Sequence, residues 1–126
     1  ILTQYGCKIE VKTSAYRQVW KQRKPSYLVF DVAQKIDWEN GDNVPKRHAD
    51  VYVFCVFNNE QGGASPLDLE AWDFYVAATA DMDVILREQR TATLAALKKR
   101  LPLKVTGYTG LAIAIFDTYR SIGGME

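Results

Sequence analysis

The chain of 126 residues is 48% hydrophobic and 25% charged, with a formal net charge of +1. That balance suits one globular domain and excludes a disordered tail, a collagen-like repeat and a disulfide-dense miniprotein. The longest apolar run, Val51 to Phe57, has 7 residues, far short of the ~20 that cross a bilayer as a helix. A charge so close to zero points by itself to no polyanionic partner.

The first element is the clearest in period. Cys7 to Ser14 alternates, with Ile9, Val11 and Thr13 on one face and Lys8, Glu10, Lys12 and Ser14 on the other, as in a half-buried strand. Arg17 to Ser26 is polar, basic and closed by Pro25, so it reads as a connection. Tyr27 to Val32, aromatic and β-branched, is a second strand. Asn40 to Asn43, followed by Pro45, is a turn. Ala49 to Asn58 is almost continuously apolar, the composition of a central strand covered on both faces. Val51, Val53 and Cys55 should share one of its faces, and Tyr52, Phe54 and Val56 the other.

A loop rich in Gly, Asn and Ser, Asn58 to Pro66, leads to a fourth strand. There Trp72, Phe74 and Val76 alternate with Asp73, Tyr75 and Ala77, up to Thr79. The period then lengthens to that of a helix. Asp81 and Asp83 fit the start of a short one. Leu94, Leu97 and Leu101 recur at helical spacing behind Thr91 or Thr93, either of which can cap. Leu111, Ile115 and Tyr119 form one stripe of a final helix from about Thr109 to Ser121, ended by Gly123 and Gly124. Strands followed by helices predict a mixed α/β or α+β layer fold, with the four strands in one sheet and the helix around Leu94 to Arg100 packed near it.

The charged face of the first strand carries the most chemistry. Glu10 and Lys12 leave the same face, roughly 6.6 Å apart along it. A carboxylate there can hold a hard divalent cation, and a neighbouring ammonium can orient or deprotonate an attacking water and offset developing negative charge. Together these serve phosphodiester hydrolysis. The plainer reading is a solvated strand face with alternating charges, and chance alone makes one such triplet unsurprising with 6 Glu and 9 Lys in the chain.

Ile9-Glu10-Val11-Lys12-Thr13-Ser14 resembles the catalytic strand of the PD-(D/E)xK nuclease superfamily, which has the restriction-endonuclease-like fold. The polar, aromatic-bearing stretch Tyr16 to Gln22 follows it, and Ala49 to Phe54 and Trp72 to Val76 look like later core strands of such domains. The resemblance covers about Lys8 to Ala114, and the order of elements carries more of it than any one residue. It implies a central mixed sheet flanked by helices and a Mg²⁺- or Mn²⁺-dependent DNA endonuclease, or a domain descended from one. Glu10 takes the place of the second acidic ligand and Lys12 that of the catalytic lysine, with the Val11 carbonyl as a further ligand. The family's first acid, an Asp on a preceding strand, has no counterpart, because Ile1 to Ile9 contains no Asp or Glu. With Ile1 in first place, the expectation is a single domain over residues 1–126 lacking its N-terminal part, its cation held weakly.

A nucleic-acid surface is expected along the same stretch. From Lys8 to Lys24 there are six basic residues and one acid. Lys8, Arg17, Lys21 and Arg23 suit phosphates, Tyr16 and Trp20 suit base stacking, and Gln18 and Gln22 lie among them. Pro66 to Asp83 holds five acids and no base, so that surface is one-sided. DNA is the expected partner, no membrane is, and a homodimer is left open. A non-catalytic nucleic-acid-binding or assembly module is the alternative; a small-molecule or protein-binding domain would follow if Glu10 and Lys12 were fully solvated and far from a cleft. His48, the only histidine, has no recognisable nucleophile beside it. Cys7 and Cys55, both in apolar runs, read as buried reduced thiols and so as cytoplasmic.

Overall fold

The computed structural model describes residues 1–15, 28–41, 43–58, 65 and 67–122. Its main sheet joins four strands: β1 (Ile9–Ala15), β3 (Val51–Phe57), β4 (Trp72–Ala78) and β6 (Lys104–Thr106), in the order β1-β3-β4-β6. β1 runs parallel to β3, and β4 is antiparallel to both β3 and β6. A separate two-stranded ribbon pairs β2 (Val29–Asp31) with β5 (Thr91–Thr93). The helices are α1 (Thr79–Ile85), α2 (Leu94–Arg100) and α3 (Leu111–Ser121). None among the described residues is long and apolar enough to cross a membrane. The fold is mixed α+β, as the sequence predicts.

β3 sits where its composition puts it. All seven of its residues are buried, and its two faces feed two cores. Tyr52, Phe54 and Val56 pack with Leu28, Phe30, Val32, Tyr75, Met82, Leu94 and Leu97 on the side of the ribbon, α1 and α2. Val51, Val53 and Cys55 pack with Cys7, Ile9, Phe74, Val76, Ala114 and Ile115 on the side of α3. Each large side chain so enclosed contributes ~1.5–3 kcal/mol, so the sheet is held from both faces. Thr93 is the cap of α2, its Oγ1 accepting from the Ala96 amide at 3.1 Å, while Thr91 belongs to β5. α1 contains Asp81 and Asp83, and α3 begins at Leu111 behind a 3-10 turn, Tyr108–Gly110. Gly123 and Gly124 lie outside the described residues.

One expectation fails. The second predicted strand does not join the main sheet; only Val29–Asp31 is extended, and it pairs with Thr91–Thr93. A parallel β1–β3 pair requires a long crossover between its strands, and β2 is part of that crossover. Its exposed-buried-exposed pattern suits a cover rather than a strand buried on two faces. Phe30 points down onto Phe54, ring centroids 5.0 Å apart. The fourth place in the sheet goes to β6, which the sequence did not signal. The single four-stranded sheet with Tyr27 to Val32 as a member is not formed, and this split into two sheets counts against the restriction-endonuclease-like arrangement, leaving the mixed α+β class.

Candidate functional site

Glu10 and Lys12 lie on β1, at one edge of the sheet, on the face that the ribbon partly covers. The register puts Glu10 opposite Tyr52 and Lys12 opposite Phe54. The Lys12 ammonium stands 3.3 Å from Glu10 Oε1, with Lys12 21% exposed and Glu10 46%. The pair is therefore neither fully solvated nor buried. Among the described residues no named strand pairs with the outer side of β1, where Ile1 and Leu2 lie along its head. Lys8 turns its carbonyl to the amides of Asp50 and Val51, whereas Ile9 exchanges backbone bonds with Ile1 on the opposite side. Since backbone groups alternate along a strand, Val11 directs its carbonyl toward that same outer side.

The groups around the pair form a charged rim over a buried phenol. Tyr52 is 4% exposed, and its hydroxyl is pushed up to about 12, by burial first and then by the Glu10 carboxylate. Asp31, at the end of β2, accepts from the Ala33 amide and from Lys35 Nζ, both at 2.9 Å. These two bonds hold its carboxyl below the ordinary aspartate range, and the Lys12 charge adds to them. Asp31 is the residue that sequence reasoning missed. It arrives from the crossover downstream of Glu10, and the Lys12 charge is the weakest of the influences on its carboxyl. Its only sequence signal is an Asp at the end of an aromatic, β-branched run.

The ribbon is fastened beside the pair by Arg47, whose side chain is wholly buried. Its Nε donates to the Val32 carbonyl at 2.9 Å, Nη1 to Asp83 Oδ1 at 2.9 Å, and Nη2 to the Gln89 carbonyl at 3.4 Å. A buried guanidinium is tolerable because its donors are matched by acceptors.

As for a metal, the donor types suit a hard cation: a half-exposed carboxylate at Glu10 and the Val11 carbonyl, with water able to complete the shell of Mg²⁺. Among the described residues no three acidic, histidine or cysteine side chains converge as a ligand set. Lys8 shares the charged face at the head of β1. Tyr16, Arg17, Gln18, Trp20, Lys21, Gln22 and Arg23 lie outside the described residues. His48 Nε2 donates to the Lys35 carbonyl at 2.8 Å, an engagement that is structural. Cys7 and Cys55 are free thiols, buried and raised to about 11 by that burial.

Compared with known proteins, the chain matches no family model, no curated protein and no solved structure.

Proposed function

We propose that the chain is a metal-dependent DNA endonuclease domain, or one descended from such an enzyme, of the PD-(D/E)xK type. The observation that carries the reading is the Glu10–Lys12 pair: two groups of opposite charge, 3.3 Å apart, on the strand at one end of the main sheet. Glu10 and Val11 would hold Mg²⁺ or Mn²⁺, which when bound supplies charge neutralisation at the phosphate and a more acidic water. Lys12 orients the attacking water or takes its proton, and its charge offsets the negative charge that builds on the phosphate oxygens. With the ribbon over the inner side of the pair, the substrate backbone approaches from the outer side of β1. The order of elements, which carried most of the resemblance, departs from it at β2 and counts against it; the reading is left to the side chains of Glu10 and Lys12.

A second reading, a nucleic-acid-binding or assembly module without catalysis, is favoured by one observation. Glu10 already has Lys12 as its counter-ion, so it needs no cation for neutrality. Plasmid nicking with and without Mg²⁺ or Mn²⁺ separates the two, run on the chain, on a form extended upstream, and on Glu10→Ala and Lys12→Ala. The enzyme reading expects both variants to fold and to lose metal-dependent cleavage. Undiminished cleavage by Glu10→Ala would place the chemistry elsewhere.

A further inference from the structure

A cleft of about 460 Å³ opens at the head of β1 and β3, lined by Lys8 but not by Glu10 or Lys12. Lys8, the residue of the Glu10–Lys12 row nearest that end, lines it together with Lys46, His48, Asp50, Thr79 and Asp83. Its size falls within the ~300–1,000 Å³ of small-molecule sites. One of its lining residues is unsatisfied: Thr79 is 5% exposed, and its Oγ1 has no hydrogen-bond partner among the described residues. A buried hydroxyl left without a partner costs free energy, so a group that docks there recovers it. The remaining chemistry defines the ligand. Lys8 presents a cation. The His48 ring, with Nε2–H committed to the Lys35 carbonyl, offers its Nδ1 lone pair in the neutral form. Asp50 uses Oδ2 to accept the Lys8 amide at 2.9 Å, leaving Oδ1 as an acceptor. One anionic group and one or more hydroxyl or amine donors complement this set.

We propose that the cleft holds the nucleotide next to the scissile phosphate, with its phosphate at Lys8 and its hydroxyl and amine donors at His48, Asp50 and Thr79. This rests on the nuclease reading for the substrate, because Lys8, Glu10 and Lys12 lie in one row and a strand tracking that row enters the cleft. Binding to it needs no metal, so it is tested apart from catalysis. Deoxyadenosine monophosphate, titrated without metal into the ¹⁵N-labelled chain, should shift the amide signals of Lys8, His48, Asp50 and Thr79. Lys8→Ala and Thr79→Val should each weaken this binding at least tenfold, and Thr79→Ser should restore it. Thr79→Val should meanwhile raise the unfolding midpoint of the free protein by ~2–5 °C, since it removes an orphaned hydroxyl at nearly constant volume. No binding at millimolar nucleotide, shifts confined to other residues, or unchanged affinity in both variants overturns the proposal. If the nucleotide binds here but Glu10→Gln leaves metal-dependent cleavage intact, the cleft stands and the assignment of the catalytic pair falls. The reverse outcome removes the cleft alone.

Discussion

Replacing Arg47 by Met tests whether the ribbon is tied down by hydrogen bonds or only by its apolar contacts. Methionine keeps most of the apolar length of the arginine stem and removes every donor. The Nη2 bond to Gln89, at 3.4 Å, is long and weak, but the Nε bond to Val32 at 2.9 Å is well formed. Losing it orphans a carbonyl next to a fully buried residue, worth ~1–3 kcal/mol. The charge-assisted bond to Asp83 adds ~1.5–3 kcal/mol, and relief of the guanidinium's desolvation gives part of that back. A net loss of ~2–3 kcal/mol is expected, a large share of the 5–15 kcal/mol that such domains have in total. For a chain of this length it lowers the midpoint by roughly 6–15 °C. Asp83 is about half exposed, so in Asp83→Asn the amide oxygen and water replace the carboxylate for about 1 kcal/mol. Thermal and urea unfolding followed by circular dichroism give both numbers. A cost below ~1 kcal/mol for Arg47→Met, or an equal cost for Asp83→Asn, would refute the view that the Val32 bond anchors the ribbon.

Other outcomes follow from the same geometry. A Cβ added at Gly110 runs into Thr106 Oγ1, so Gly110→Ala should cost ~1–3 kcal/mol, and Gly110→Ala/Thr106→Ala should recover most of it. Burial raises both thiols to about 11 while the unfolded chain ionises near ~8.5; stability should therefore be constant below that value and fall as pH rises toward 11. Neither thiol should react with a disulfide reagent at pH 8 faster than the protein opens globally. Asp31, held below its ordinary range, stabilises above the unfolded aspartate pKa and loses that contribution as pH falls through the folded one. Asp31→Asn should lower stability at neutral pH by under ~1 kcal/mol, the group being half exposed, and the difference from the unmutated chain should vanish below ~pH 4, flattening the acid limb.

Much of this structure was legible in the order of residues. Period-2 alternation put Glu10 and Lys12 on one face of β1, and that follows from backbone geometry whatever the strand packs against. The continuous apolar run predicted a central β3 with its six named residues divided between two faces, because only a doubly covered strand can bury them all. The leucine spacing behind two candidate caps, Thr91 and Thr93, foretold α2, and the structure makes Thr93 the cap. The short strands were not legible: β5 and β6 have three residues each, too few for a period to show. Nor was the partner of β2, since strand pairing depends on which edges the rest of the chain leaves open. The site divides the same way. Local sequence alone determined that a carboxylate and an ammonium share a face at strand spacing. Only the tertiary structure decided that β1 lies at one end of the sheet with the Val11 carbonyl turned outward, that Asp31 on the crossover feels the Lys12 charge weakly, and that Thr79 lines a cleft at the strand heads. Those are contacts between residues distant in sequence, set by how two cores close over one sheet, and no local pattern encodes them.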